Sequence, residues 1–249
     1  MSPATVGLLI FVVTFGGVLL GMWLRVLLPQ HYLEKESQDA IKLGIGLIAT
    51  MTALVLGLIT ASTKSAFDDV DATVTKAASE LLALDRLLAR YGTEASAIRQ
   101  EFQRLTRARV DAIWHQDSSS FASPALVQAE VTTEAIRNLT PANDSQRALQ
   151  AKAIDVAESL MLSRWTAVIN NLPSVPLPFL TVLVLWQTFI FMSFGLLAPR
   201  NPLVVLVLFV CALSVGSAMF LILEMDTPFS GLIRVSEDPL RTAITYMNQ

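Results

Sequence analysis

Apolar residues in this chain are concentrated in four long blocks separated by polar stretches. The blocks cover residues 6–28, 43–63, 177–198 and 203–223. Each reaches the ~20 residues that a helix needs to cross a bilayer. Arg25, near the end of the first block, is the one charged residue in the four. The first block has no basic segment before it and is too long for a cleaved signal peptide. The pattern predicts four transmembrane helices.

The second block continues without a break into a charged, water-soluble stretch. No proline lies between Ile41 and Tyr91, so we expect one helix from about residue 42 to 91, ~75 Å long at a rise of ~1.5 Å per residue. Its soluble half carries apolar residues in alternating steps of three and four, the spacing of a coiled-coil seam. These are Phe67, Val70, Val74, Ala77, Leu81, Leu84, Leu88 and Tyr91.

Traced back into the membrane block, the same stripe becomes small and hydroxyl-bearing. It passes through Thr63, Thr60, Leu56, Ala53, Ala49 and Gly46. One interpretation is close packing within a bundle formed by one chain, because small residues let transmembrane helices approach. The other places copies of this helix around an axis. Thr52, Thr60 and Thr63 would then line a pore, and Leu56 would form an apolar constriction that gates by dewetting.

The remaining polar stretches also favour helices, and no alternating strand pattern is present. Residues 93–116 form an amphipathic helix, and Ser123 followed by Pro124 starts another that reaches about residue 138. A third covers about 142–170. We therefore predict an all-α fold with four segments: a first transmembrane pair (1–63), a helical soluble region (64–175), a second transmembrane pair (176–224) and a C-terminal turn and tail (225–249).

Composition agrees with a membrane protein and argues against several other classes. The chain is 53% hydrophobic with a mean hydropathy of +0.54, above the ~45–50% apolar content of soluble domains. A net charge of −3 gives no support for a nucleic-acid partner. The single cysteine, Cys211, excludes an intrachain disulfide, and His31 and His115 lack metal-ligand spacing. We expect no metal, no cofactor and no enzyme activity, since no catalytic motif is visible.

Three groups of polar residues leave two interpretations open. Gln187, in the middle of the third block, either bonds another helix or lines a pathway. The arginines at 99, 104, 107 and 109 form either a solvated face paired with acids or a basic vestibule wall. Asp68, Asp69 and Asp71 lie on either a solvated helix face or a ring at a pore mouth. Basic residues near the spans, five on one side and four on the other, do not set the orientation.

Several stretches together resemble a bacterial membrane family of unassigned function that is described as bestrophin-like. The C-terminal phrase MDTPFSGLIRVSEDPL resembles that family's signature. LVLGLITASTKSAFDD, AASELLALDRLLARYG, IRQEFQRLTRARVDAIW and SRWTAVINNLP are similar to its other conserved-looking segments, so the resemblance extends from Leu54 onward. It implies that the residues matching the family's pattern are Glu80, Asp111, Arg164, Asp226, Pro228, Gly231, Arg234 and Ser236.

The resemblance also implies a function. Bestrophins are pentameric ion channels with four spans per subunit, a pore lined by the second span, and cytosolic termini and soluble helices. We therefore expect a homo-oligomeric ion channel of the bacterial inner membrane, with lipid, small ions and copies of itself as partners. The acidic calcium clasp of animal bestrophins is not matched, because Glu224, Asp226, Glu237 and Asp238 are spread out. The alternative function is a membrane-anchored structural or signalling subunit whose helical region docks a partner.

Overall fold

The computed structural model describes residues 2–29, 34–115, 124–169, 177–199, 201–229 and 231–248. Helices are the only regular elements in these ranges, as the sequence predicts. Their bounds are α1 Pro3–Leu27, α2 Lys35–Tyr91, α3 Ser96–His115, α4 Pro124–Arg137, α5 Asp144–Ile169, α6 Leu177–Leu197, α7 Pro202–Met225 and α8 Asp238–Met247. A short 3-10 turn, Thr93–Ala95, joins α2 to α3.

The four predicted spans are confirmed as helices long and apolar enough to cross a membrane. They are α1, α2, α6 and α7. Helix α2 is a single element of 57 residues that includes both the apolar block and the charged stretch after it. Helix α8, in the tail, is an element that the sequence analysis did not anticipate.

The chain divides into two compact units. The first consists of Met1–Ala66 and Pro173–Thr227, and the second of Phe67–Leu172 and Pro228–Gln249. Helix α2 contributes to both, with its apolar part in the first unit and its charged part in the second. The predicted division into four consecutive segments, which follows the chain rather than spatial compactness, stays a prediction.

Glycines bring α1 into close contact with α6 and α7 in the first unit. A Cβ atom at Gly21 would collide with the carbonyl oxygen of Met192, and one at Gly195 with that of Val18. At Gly7 a Cβ would come within 2.8 Å of the Phe220 Cβ. Backbone approach of this kind is typical of transmembrane helices, whose association depends on packing. The Gly17–Gly21 pair in the sequence therefore marks a true helix contact.

Polar groups complete the ends of these spans. Ser2 caps α1 by accepting a hydrogen bond from the Thr5 amide at 3.3 Å, and Asn201 caps α7 by accepting from the Leu203 amide at 3.0 Å. Arg25, in the last turn of α1, donates to the carbonyl oxygens of Leu197 and Ala198. A cation at this position satisfies carbonyls that the end of α6 leaves unpaired and interacts favourably with the helix dipole.

The second unit has one continuous apolar core. The seam predicted on α2 contributes Val74, Leu81, Leu84, Leu88 and Tyr91, all buried. Residues from the other helices and the tail pack with them, including Phe102, Val110, Ile136, Ala153, Leu160, Val235, Leu240, Ala243 and Met247. The tail is therefore part of this core, because α8 buries one face there.

We predict that adding one methyl group at the α1–α6 contact destabilises the protein. Gly21→Ala should lower the stability by about 1–3 kcal/mol, the usual cost of overpacking, because backbone and not a flexible side chain occupies the space. Gly16→Ala is the matched control, since a Cβ there meets no atom of the described chain within 4 Å. Thermal unfolding in detergent measures both. Equal midpoints for the two variants would contradict the packing.

Candidate functional site

Helix α2 presents a packed face to the other spans of its own unit. Val55, Leu56 and Ile59 lie against a cluster formed by residues of α1, α6 and α7. Nearer the start of the helix, Ile45 is buried in a second cluster, and Ile48 packs against it. Only a small part of the apolar stretch of α2 is buried in this way, so most of its membrane-level surface is exposed in the single chain.

The exposed surface of α2 divides into two chemically different faces. One carries large apolar side chains that are 51–78% exposed: Leu43, Leu47, Met51, Leu54 and Leu58. The other, here called the open face, carries only small or hydroxyl-bearing residues at steps of four and three: Gly46, Thr50, Ala53, Gly57 and Thr60. A Cβ added at Gly46 or Gly57 meets no atom of the described residues within 4 Å.

The stripe predicted from the sequence alternates between the open face and the packed face. Thr60 is on the open face, and its hydroxyl donates to the Leu56 carbonyl at 2.7 Å. Thr52 and Thr63 are on the packed face, 2% and 1% exposed, and Leu56 is partly buried there. The single chain therefore brings Thr60 to an accessible surface and surrounds the other three with its own helices.

A buried ion pair holds α3 against the soluble part of α2. The Asp85 side chain is fully buried and accepts two hydrogen bonds from Arg99, both at 2.9 Å, and one from Gln103 at 2.7 Å. The hydrogen bond to Asp85 is the main reason that the pKa of Arg99 lies above its ordinary value. This two-pronged arrangement of arginine and carboxylate is a strong and directional contact.

The same cluster binds the end of α8. Arg99 and Gln103 donate to the Met247 carbonyl at 3.1 and 2.8 Å, and Arg86 donates to the Tyr246 carbonyl at 2.9 Å. Arg107 donates to the side-chain oxygen of Asn248. These donors satisfy carbonyls at a helix C-terminus, where cations are favoured.

The arginines of α3 are therefore engaged within the protein. Arg99 contacts Asp85 and the end of α8, Arg107 contacts the end of α8, and Arg104 pairs with Glu101 at 2.6 Å. Burial lowers the pKa of Arg109. These contacts favour the interpretation in which the arginine face pairs with acids. In contrast, Asp68, Asp69 and Asp71 are exposed.

The family-motif residues named in the sequence analysis fall into two groups. Glu80 of α2 accepts a hydrogen bond from Ser159 of α5 at 2.6 Å and lies 3.7 Å from Lys76, while its second oxygen is buried. Asp111 lies 3.9 Å from Arg241 of α8. Arg164 is in α5, and its side chain is outside the part that the structure describes.

The second group lies, in sequence, between the end of α7 and the start of α8. Asp226 ends α7. The Val235 amide donates to the Pro228 carbonyl at 2.9 Å, and Gly231 adopts a φ of 101°, which glycine allows at no steric cost. Arg234 donates to the Gly231 carbonyl at 2.6 Å, and Ser236 accepts from the Asp238 amide at the start of α8. Within the described residues, no cluster of three or more metal-ligating side chains is found. His31 lies outside the described residues.

A family model for the Bestrophin-like domain matches residues 12–240. The chain belongs to the Bestrophin-like family. Two crystal structures of variants of a bacterial bestrophin homologue from Klebsiella pneumoniae share its fold. One has a TM-score of 0.65 at 12% identity and covers 93% of this chain and 96% of the homologue. The other has a TM-score of 0.63 at 15% identity and covers 96% and 99%. No curated protein matches the chain.

The sequence analysis of this Bestrophin-like chain missed the Asp85 cluster and α8, although both leave a signal. Asp85 lies between Leu84 and Leu88 on the apolar seam of α2, where a carboxylate needs a buried partner. In the tail, a proline at position 239 is followed by Leu240, Ala243 and Met247 at helical spacing. Asp85 stands out once the seam is treated as a buried surface, and α8 stands out once the apolar residues of the tail are checked for helical spacing.

We predict that removing one partner of the buried pair costs more stability than removing one partner of an exposed pair. Asp85→Ala should cost about 1.5–3 kcal/mol, because it removes the charged acceptor of the Arg99 and Gln103 hydrogen bonds while Arg99, whose side chain is 27% exposed, still reaches water. Asp144→Ala is the control: Asp144 pairs with Arg147 at 2.6 Å but is 94% exposed, and such pairs contribute about 0–1 kcal/mol. Thermal unfolding in detergent compares the two. Similar losses of stability in the two variants would show that the Asp85 pair matters no more to stability than an exposed pair does.

Proposed function

We propose that this protein is a homo-oligomeric ion channel in which α2 of each protomer lines the ion pathway. The observation that carries the proposal is the open face of α2, where small and hydroxyl-bearing residues alone cover an exposed surface at membrane level. Membership of the Bestrophin-like family and the fold shared with a bacterial bestrophin homologue support it.

The chemistry of the two exposed faces explains why a pathway is favoured on one of them. The face with Leu43, Leu47 and Leu54 suits lipid or another apolar helix. The open face offers no large apolar side chain, and the Thr50 and Thr60 hydroxyls keep oxygen lone pairs after donating within the helix. Such groups replace part of the hydration of a passing ion in channel walls. Several copies of α2 around an axis would form a continuous wall of this kind.

The four predicted lining and constriction residues are not equally well supported as parts of the ion pathway. Thr60 belongs to the open face and lines the pathway directly. Thr52, Leu56 and Thr63 face other helices of the same protomer, so their contact with ions requires water to reach the packed side of α2. For these three residues, pore lining and gating stay predictions to be tested by substitution.

The remaining parts of the proposal concern assembly and placement. We expect a pentamer, with copies of the chain, lipid and small ions as its partners. The protein would lie in the bacterial inner membrane with both termini and the soluble helices in the cytoplasm. The fold likeness to the bestrophin homologue supports this arrangement.

One observation favours the alternative function, a membrane-anchored subunit that docks a partner. Val131 and Leu162, in α4 and α5, are 57% and 67% exposed. Leu162 lines a cleft together with Glu130, Glu134 and Glu158. Exposed apolar surface rimmed by polar residues is typical of protein contact surfaces when it forms a contiguous patch. A docking subunit would co-purify with a partner and would not need to conduct.

We predict ion flux from liposomes that contain only this purified protein. Potassium and chloride gradients are tested separately, with empty liposomes as the reference, and the oligomeric state is measured on the same sample. Flux above the reference supports the channel and reports its charge preference. Absence of flux for both ions, from protein that is folded and forms a closed ring, would count against the channel and favour the docking subunit.

We predict that substitutions on the three faces of α2 act differently on this flux. Gly57→Leu should reduce it severalfold, because a bulky side chain would enter the pathway from the open face. Leu56→Ala should raise basal flux if Leu56 is the constriction. Leu58→Ala is the control on the bulky exposed face and should leave flux unchanged. If Gly57→Leu has no more effect than Leu58→Ala, the open face does not line the pathway.

A further inference from the structure

The apolar core of the first unit consists of two separate clusters along the spans. One is formed by Ile10, Leu183, Met219 and Ile222, and the other by Val18, Ile45, Ile190, Phe191 and Ala212. Helices α1, α2, α6 and α7 all contribute to both clusters, either with these buried residues or with partly buried ones beside them. The two clusters therefore lie at different levels of the same bundle.

Three of these helices place one buried polar residue between their contributions to the two clusters. In α1 it is Thr14, in α6 it is Gln187, and in α2 it is Thr52. The order along each chain segment is Ile10–Thr14–Val18, Leu183–Gln187–Ile190 and Val55–Thr52–Ile48 when read from the first cluster to the second. Because the same two clusters bracket all three residues, they occupy one level of the bundle. We call this level the polar layer.

The hydrogen bonds within the polar layer are incomplete. The Thr14 side chain is 0% exposed, and its hydroxyl has no hydrogen-bond partner among the described residues. The Thr52 hydroxyl donates to the Ile48 carbonyl at 2.7 Å, which leaves its oxygen able to accept. Gln187 is 8% exposed and brings an amide that both donates and accepts. A buried hydroxyl without a partner is costly in an apolar interior.

We propose that the polar layer binds an ordered water molecule that links Thr14, Thr52 and Gln187. Buried waters in proteins typically make about three hydrogen bonds to polar groups that would otherwise be unsatisfied. The layer offers such a set: the Thr14 hydroxyl, the Thr52 oxygen and the Gln187 amide. The water joins the packed face of α2 to α1 and α6 inside one protomer. The proposal is independent of the ion-channel function, since it needs neither assembly nor conduction.

The proposal assigns a different role to Thr52 and Gln187 from pathway lining. Between the two interpretations of Gln187, it selects contact between helices, with water as the bridge. It also gives Thr14 a function that the sequence analysis did not consider. Thr14→Val keeps the shape of the side chain and removes only the hydroxyl. Whether this substitution lowers or raises the unfolding midpoint therefore separates a bridging water from an unsatisfied hydroxyl.

The test is a double-substitution cycle with Thr14→Val and Gln187→Met, followed by thermal unfolding in detergent. With a shared water, Thr14→Val lowers the midpoint in the wild-type background, because the water loses a partner. The loss largely disappears in the Gln187→Met background. Thr50→Val is the control, since Thr50 is exposed and bonded to the Leu47 carbonyl, and its substitution leaves the midpoint unchanged.

Two results overturn the proposal. One is a midpoint that rises in Thr14→Val, as expected for removal of an unsatisfied hydroxyl. The other is the same change in both backgrounds, which would mean that Thr14 and Gln187 share no ligand. If the double variant does not fold, a density map of the wild-type protein that resolves ordered water decides the question. Water density between Thr14 and Gln187 supports the site, and continuous apolar packing there rejects it.

Discussion

The structure of the membrane-level unit depends on the close approach of α1 to α6 and α7. In an apolar solvent each helix satisfies its own backbone, so helices associate through packing and a few polar contacts. Glycine at positions 7, 17, 21 and 195 lets backbone meet backbone. α1 thereby fills much of the space between α6 and α7, and α2 packs along one side with most of its surface exposed. The proposed assembly and ion pathway both depend on that exposed surface.

The soluble unit depends on a different kind of interaction. Large side chains of α2 form its core, and the fully buried Asp85 sets the position of α3 and α8 relative to that core. A buried ion pair adds little net stability compared with apolar packing. It does favour one geometry over others, since an arrangement that separates the two groups would leave a buried charge without its partner. Arg99 and Gln103 each contact both Asp85 and the last turn of α8. The end of the chain is therefore bound by the same groups that join α2 to α3.

The sequence was sufficient for the spans and for the helices of the soluble region, but it did not lead to α8 or to the faces of α2. Four apolar blocks and an uninterrupted heptad stripe identified the spans and the continuity of α2, because hydropathy and periodicity depend on local sequence, although α2 begins at Lys35 and not near residue 42. The same stripe did not show that Thr60 would be exposed while Thr52 and Thr63 would be buried. That distinction depends on where α1, α6 and α7 pack, which is a property of the tertiary structure. Asp85 and Arg99 are 14 residues apart, and no local pattern pairs them.

Threonine hydroxyls on different faces of α2 have different surroundings. Thr50 and Thr60 on the open face and Thr52 on the packed face all donate to a carbonyl of their own helix. Each hydroxyl donates its one proton to a carbonyl three or four residues back, so the surroundings decide what the remaining lone pairs can do. On the open face they would be available to water and ions in the proposed assembly. On the packed face they are available only to a group enclosed by the same protomer, such as the water molecule proposed for the polar layer, where the buried hydroxyl of Thr14 has no partner among the described residues. One helix can therefore carry a wall for ions on one side and a hydrogen-bonded contact within the protomer on the other.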